Sequence, residues 1–192
     1  MSGEKSLAEV FWRNGYRLYA VGGYVRNGLL GLPCSDLDVA SRCPLEALED
    51  MARREGFSVA VVNRRLGTCK IRYGSLEAEH TCFRRESYGR GHAPEEAETG
   101  VTLREDAFRR DFTVNALAWS PETGFIDYFN GINDLAQRCL RCVGEASVRF
   151  EEDALRILRA LRFSSVLGFS ISPDTSAAIH QKKELLSFVA AE

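Results

Sequence analysis

Gly22-Gly23-Tyr24-Val25-Arg26 and, a short way on, Ser35-Asp36-Leu37-Asp38-Val39-Ala40 form the stretch that decides how this chain folds. The apolar run Leu18 to Val21 is predicted to be a strand ending in the glycine pair, and Tyr24 to Leu30 the helix that follows. Glycines at a strand-to-helix turn let the backbone approach a ligand closely, and the free amides and positive end of the helix attract an anion such as phosphate. Arg26, one turn into the helix, would add a charge-assisted contact. Asp36 to Ala40 reads as a short strand, so Asp36 and Asp38, with one residue between them, face the same side. Two carboxylates held that close repel unless a divalent cation sits between them, and oxygen-only ligands at a phosphate-handling site suit Mg²⁺. Taken singly, the glycines fit an ordinary tight turn and the Asp-x-Asp a solvated loop exit. It is the combination that points to chemistry.

Outward from this stretch, Leu7 to Arg13 reads as a helix closed by Gly15, and Pro44 opens another that reaches Glu55 before Gly56. Phe57 to Val62, Thr68 to Tyr73 and Leu76 to Phe83 are predicted strands, the last two joined as a hairpin across Gly74 and Ser75. Arg84 to Gly100 is rich in glycine and glutamate and poor in apolar residues, which suggests a mobile surface loop that could act as a lid. Thr102-Leu103-Arg104-Glu105 fits a capping box at a helix start. Phe125 to Val143 reads as short strands and turns, and a long helix is expected from Glu151 to Leu167, ended by Gly168, with another opening at Pro173. The fold class is therefore α/β (α+β), on a mostly antiparallel or mixed sheet.

A length of 192 residues suits one domain plus part of a second. With 45% apolar and 27% charged residues, disorder and low-complexity fibres are excluded. No apolar run is long enough to span a membrane and the N-terminus lacks the pattern of a secretion signal, so a cytoplasmic protein is expected. The net charge of −2 provides no global basic field, yet the cations are 21 Arg against 4 Lys, a bias toward forked phosphate and base contacts made locally. Cys34, Cys43, Cys69, Cys82, Cys139 and Cys142 are expected as reduced thiols, and the Cys139/Cys142 pair lacks a second Cys or His pair at zinc-site spacing. His80, His92 and His180 have no Ser or Cys nucleophile motif beside them, which argues against hydrolase chemistry. Trp12 and Trp119 are expected to pack rather than to stack on bases.

The Gly22–Arg26 and Ser35–Ala40 segments, with Leu29-Leu30-Gly31 between them, resemble the active-site signature of class II tRNA nucleotidyltransferases (CCA-adding enzymes) and the similar bacterial poly(A) polymerases. Arg109-Arg110-Asp111-Phe112-Thr113-Val114-Asn115-Ala116 is similar to their ribose-selecting motif, and Glu152-Asp153-Ala154-Leu155-Arg156-Ile157-Leu158-Arg159-Ala160-Leu161-Arg162-Phe163 to their base-reading helix. The resemblance implies a polymerase-β-type nucleotidyltransferase head over 1–143, then a helical neck over 144–192. It implies that Asp36 and Asp38 hold Mg²⁺, with Glu79 as a third carboxylate that assists the metal or accepts a proton. Gly22, Gly23, Arg26 and Arg110 would hold phosphates, and Asp111 the ribose 2′-hydroxyl. Asp153 and Arg156, three apart on a helix, would pair with the donor-and-acceptor edge that cytosine and adenine share, and Arg159 and Arg162 would line the same pocket.

The implied partners are CTP, ATP and the 3′ end of tRNA. Arg65-Leu66-Gly67-Thr68-Cys69-Lys70 is closer to the CCA-adding pattern than to the poly(A) polymerases, which carry a basic-aromatic segment there. Poly(A) addition, partial CC- or A-addition and a non-catalytic RNA-binding module remain the alternatives, and clustered carboxylates speak against the last. Two departures stand out. The family usually has Asp where Asn27 stands, so a weaker support for Arg26 is expected. The resemblance also implies further helical domains beyond the neck, so the chain is expected to be a truncated part.

Overall fold

The computed structural model describes residues 2–88 and 96–188, the side chains of residues 2–6, 96 and 188 excepted. The chain runs through α1 (Ser2–Arg13), β1 (Leu18–Val21), α2 (Gly23–Leu30), β2 (Asp38–Ser41), α3 (Leu45–Glu55) and β3 (Ser58–Asn63). It continues with β4 (Thr68–Tyr73), β5 (Leu76–Cys82), β6 (Arg84–Ser87), β7 (Glu96–Thr99), α4 (Leu103–Phe108) and a 3₁₀ turn (Thr113–Asn115). There follow β8 (Ala118–Ser120), β9 (Gly124–Ile126), α5 (Gly131–Ala136), β10 (Cys139–Leu140), α6 (Ala146–Glu152), α7 (Leu155–Leu167), β11 (Ser170–Ile171) and α8 (Pro173–Lys182).

Seven strands form a mixed sheet in the order β3-β4-β5-β2-β1-β8-β9. Its parallel pair is β2 with β5, and the chain makes the crossover this requires through α3 and the β3–β4 hairpin. The register sets Asp38 opposite Glu79 and Ser41 opposite Cys82. One face of the sheet carries the main core. Leu7, Val10 and Phe11 of α1 and Leu45, Leu48 and Met51 of α3 recur at helical spacing and are buried there with Val39, Cys69, Ile71 and Ala78. The other face is covered around β1 and β8 by Phe83, Val101 and Leu103 packed on Tyr19, Val21, Ala40 and Ala118. Farther along, over β4 and β5, Lys70, Arg72, Glu77 and Glu79 of that same face are exposed.

Several sequence expectations need correction. The first helix begins earlier, at Ser2. Strand β2 starts at Asp38, which leaves Asp36 in the segment before it, so strand alternation is not what brings the two carboxylates together. Arg84 to Gly100 is not a bare loop: Arg84–Ser87 pairs antiparallel with Glu96–Thr99. His92 lies outside the described residues. The stretch from Phe125 to Val143 includes helix α5, whose Gly131 sits so close to Thr113 that a Cβ would lie 2.2 Å from its carbonyl oxygen. The long helix from Glu151 is broken at Asp153, whose backbone is extended (φ −153°, ψ 104°). Trp12 is exposed, with the Arg17 guanidinium 5.1 Å above its ring, rather than packed into apolar surroundings.

Wholly buried, His80 has Nε2 2.8 Å from the Ser41 hydroxyl, across the β2–β5 seam. Burial disfavours its charged form and pushes its pKa down to about 3. The unfolded chain therefore takes up this proton near the ordinary histidine pKa and the folded chain does not. The stability tied to a neutral His80 is complete above about pH 6.5 and is lost as pH falls toward 3, with a slope of up to about 1.4 kcal/mol per pH unit. Urea unfolding at pH 7, 6, 5 and 4 should show this loss in the unaltered chain and a flatter dependence in His80→Gln. Equal slopes would contradict the assignment.

Candidate active site

The bend between β1 and α2 is formed by Gly22 at φ 66° and ψ −133°, a conformation that side chains with a Cβ rarely adopt. Space agrees with geometry. A Cβ at Gly22 would lie 3.0 Å from Arg110 Nη1 and 3.9 Å from Asp38 Oδ2, so the glycine keeps open a gap between a guanidinium and a carboxylate. At Gly23 the nearest group to a Cβ would be Arg26 Nη2, 3.5 Å away. The bend opens into a cleft of about 660 Å³ whose walls include Gly22, Gly23, Arg26, Asp36, Asp38, Arg110, Asp111, Asp153, Arg156, Arg159 and Arg162. Eleven of the twelve residues picked out from the sequence thus border one cavity. The twelfth, Glu79, faces Asp38 across the β2–β5 ladder and lines a neighbouring cavity together with Asp36 and Asp38.

The carboxylate side of the cleft is electrostatically uncomfortable. Burial raises the pKa of Asp38, Glu79 and Asp36 push it the same way, and Arg110 opposes them. Such a group gains from a nearby cation. Among the described residues no three or more His, Cys, Asp or Glu side chains gather as a closed metal site. The donors on offer are two carboxylates beside an open cleft, which fits a hard divalent cation that completes its shell with water and substrate oxygens.

The arginine side is held rigidly from behind. Arg26 donates from Nε and Nη2 to Asn27 Oδ1 at 3.0 and 2.8 Å and from Nη1 to Asn115 Oδ1, while the Phe163 ring lies 5.1 Å from its guanidinium carbon. Asn27 therefore still supports Arg26 through hydrogen bonds but brings no countercharge. Asp111 is buried, accepts from the Phe112 amide (2.8 Å) and Asn115 Nδ2 (3.0 Å), and binds Arg159 through Nε at 2.8 Å and Nη2 at 2.6 Å. Arg156 is buried and locked. Its Nη1 donates to Glu152 Oε2 (2.9 Å) and its Nη2 to the Arg109 carbonyl (3.1 Å) and the Tyr88 hydroxyl (3.0 Å). Asp153 does not share a helix face with Arg156. It sits at the break between α6 and α7, where Oδ1 accepts from the Leu155 amide at 2.9 Å and its carbonyl from the Arg156 amide at 3.1 Å. Arg162 is exposed at the rim, stacked 4.8 Å from the Phe163 ring.

Sequence reading missed the groups that organise these arginines. Asp106 is fully buried and receives Arg109 Nε at 2.9 Å, Arg110 Nη2 at 3.2 Å and the Arg84 amide at 3.2 Å. Burial would raise its pKa, but Arg109 and Arg110 outweigh this and hold the carboxyl below its usual range. Glu86 repeats the device, taking Arg84 Nε at 2.6 Å and the Tyr88 hydroxyl at 2.6 Å. A signal for Asp106 was available: it lies three and four residues before Arg109 and Arg110, the spacing at which helical side chains meet. Asn115, which bridges Arg26 and Asp111, had none beyond its place in the turn after Asp111.

With this geometry established, comparison with known proteins gives a consistent result. A family model described as the poly A polymerase head domain matches residues 18–141. The CCA-adding enzyme of Bacillus subtilis is 40% identical over 179 residues, which are 93% of this chain and 44% of that protein. The structure of the Bacillus stearothermophilus CCA-adding enzyme in complex with CTP superposes with a TM-score of 0.88 at 35% identity, covering 98% of this chain and 45% of that one. A tRNA nucleotidyltransferase complexed with a primer tRNA and an incoming ATP analog superposes with a TM-score of 0.72 at 34% identity, over 93% of this chain and 50% of that one. This chain spans less than half the length of the curated relatives it matches.

If Asp106 is what clamps Arg109 and Arg110, Asp106→Asn should destabilise the fold by about 3 kcal/mol, the lower end for removing one partner from a buried charge cluster. Chemical denaturation measures it, and a change under about 0.5 kcal/mol, typical of an unremarkable surface position, would contradict the clamp.

Proposed function

The chain belongs to the poly A polymerase head domain family, and from that premise we propose that it is a template-independent RNA nucleotidyltransferase site that adds CMP and AMP from CTP and ATP to the 3′ end of tRNA. The observation that carries this is the single cleft in which Asp36 and Asp38 meet the Gly22–Gly23 bend and an arginine wall, with Asp153 and Arg156 on the same cavity. The names of the relatives support CCA addition over poly(A) addition. Solved relatives with CTP and with a primer tRNA and ATP analog support the choice of substrates. Within this proposal residues 1–143 are the catalytic head and 144–192 the helical neck. The site of action is the cytoplasm. Among the described residues no helix is long and apolar enough to cross a membrane.

The residues divide the work by chemistry. Gly22 and Gly23 admit the triphosphate to the start of α2, and Arg26 and Arg110 neutralise it. Asp36 and Asp38 would hold Mg²⁺, which when bound polarises the attacking hydroxyl and neutralises charge on the phosphates. Glu79 stands ready to accept the hydroxyl proton. Asp111, fixed by the Phe112 amide and Asn115, would accept from the ribose 2′-hydroxyl in place of one of its two Arg159 contacts. Asp153 and Arg156, both on the wall of this cleft, would offer an acceptor and a donor, which match the amino group and ring nitrogen of cytosine and of adenine. Uracil and guanine present the reverse order and leave buried groups unpaired, at about 1 to 3 kcal/mol each. Because Arg156 is tied by Glu152 and a carbonyl before any nucleotide arrives, its orientation is preset.

The test is incubation of the chain with Mg²⁺, each labelled nucleotide separately, and tRNA lacking its last three bases. CMP incorporation followed by AMP is expected; long A tails or no transfer contradicts the proposal. Asp38→Ala should lower transfer by about a thousandfold or more, as for loss of a group that stabilises transition-state charge, while circular dichroism stays unchanged. Asp153→Ala should instead blur base choice, and undiminished discrimination among the four nucleotides would remove Asp153 from that role.

A further inference from the structure

Behind Arg156, on the side away from the first cleft, lies another cavity of about 450 Å³, bounded by α4, β6 and α6. The Arg156 guanidinium donates to four groups: the Arg149 carbonyl (3.4 Å), Glu152 Oε2 (2.9 Å), the Tyr88 hydroxyl (3.0 Å) and the Arg109 carbonyl (3.1 Å). All four of these residues line the cavity, and two of them, Tyr88 and Arg109, also line the first cleft. Whatever fills this space therefore touches every group that sets the direction of Arg156.

The lining suits a flat anion. Phe108, nearly half exposed, and Phe129 have ring centroids 5.9 Å apart, and the Arg149 guanidinium carbon stands 4.6 Å from the Phe108 centroid. Planar groups stack on such rings and guanidiniums. The acids of the lining are already engaged: Glu86 accepts from Arg84, Arg109 and Tyr88, Glu105 from Arg85 and Thr102, and Glu152 from Arg149 and Arg156. Arg104, four residues before Phe108 and so on the same face of α4, is exposed and, among the described residues, makes no ion pair. Arg149 is buried, yet its Nε has no hydrogen-bond partner among the described residues. A charge and a donor are thus left over beside a stacking surface. The volume is that of a small-molecule site.

We propose that this cavity is an effector site for a flat aromatic anion of the nucleoside monophosphate class, whose ring stacks on Phe108 and whose phosphate meets Arg104. Arg149 and Arg156 share Glu152 Oε2, at 3.1 and 2.9 Å. An anion that draws on Arg149 leaves this oxygen to Arg156. The guanidinium is then held more firmly, and the choice of cytosine over uracil sharpens. This rests on the nucleotidyltransferase proposal and adds to it a second site, coupled to base choice through the shared carboxylate.

The probe is α-naphthyl phosphate, a bicyclic aromatic anion with no base edge to be read, titrated into the isotopically labelled chain and followed by NMR. Saturating shifts are expected at Phe108, Phe129 and the Arg149 Nε resonance. Phe108→Leu, which keeps the bulk and removes the ring, and Arg104→Glu should each weaken this binding by about fivefold or more, as for loss of a stacking partner or reversal of a facing charge. Phe125→Leu, at an exposed aromatic outside the cavity, should leave it within about twofold. CTP and UTP affinities are then measured by calorimetry with Mg²⁺, with and without the probe, which should raise the ratio of CTP to UTP affinity by about threefold or more. A probe that only competes for phosphate in the first cleft would lower both affinities alike. An unmoved ratio therefore overturns the inference, as do shifts confined to the first cleft or binding unaltered in both cavity variants. Failure of the unaltered chain to bind CTP would overturn the nucleotidyltransferase proposal, while the NMR titration still decides whether the cavity takes the anion.

Discussion

Parallel pairing of β2 with β5 forces two carboxylates, Asp38 and Glu79, across from each other at the edge of a cleft, with Asp36 two residues before the start of the strand. Partial burial of Asp38 and the like charges around it raise the free energy of the carboxylate. That tension has a consequence throughout the site. The bend opposite must be glycine, because a side chain at Gly22 would press on Arg110 and fill the space beside Asp38. The groups across the gap must be cationic, and they are. Behind the seam the neutral His80 and Ser41 fasten β2 to β5 on the core face, so the acidic pair cannot relax by sliding apart.

The abundance of arginine over lysine follows from how the opposite wall is made. Most of the guanidiniums there are gripped on their far side: Arg26 by Asn27 and Asn115, Arg109 and Arg110 by Asp106, Arg159 by Asp111, Arg156 by Glu152 and a carbonyl. A planar fork with several donors can be anchored by some of them while others remain for a ligand, which a lysine ammonium on a flexible stem does less well. Buried carboxylates such as Asp106 and Glu86 are tolerated because the same arginines compensate them. The wall is therefore a network whose parts hold one another, and its orientation does not wait for substrate.

Much of this was legible in the sequence where one local rule acts alone. The apolar run Leu18 to Val21 marked β1, apolar residues spaced by charged ones marked β4 and β5, Gly74 and Ser75 the hairpin turn, and Thr102 to Glu105 the capping box. Expectations failed where long-range charge decided the outcome. Arg84 to Ser87 has no apolar pattern, yet it pairs as a strand with Glu96–Thr99, and its Glu86 carboxylate turns inward onto Arg84 and Arg109, partners 2 and 23 residues away. The helical period from Glu151 onward conceals the break at Asp153, since periodicity is nearly unchanged by one extended residue. An Asp able to cap its own second neighbour was the clue to that break. For the site, the metal-suited and phosphate-suited residues were legible as residue types, and Asp106 could have been found from its helical spacing to Arg109 and Arg110, whereas Asn115 was not legible, because its partners Arg26 and Asp111 converge on it only in three dimensions.

Everything turns on whether a nucleoside triphosphate lodges between the glycine bend and Asp38. A crystal of the chain soaked with CTP and Mg²⁺ measures this directly. The triphosphate is expected beside Gly22, Asp38 and Arg110, with the cytosine edge toward Asp153 and Arg156. Density for CTP anywhere else, or with its phosphates turned away from the two aspartates, would contradict it.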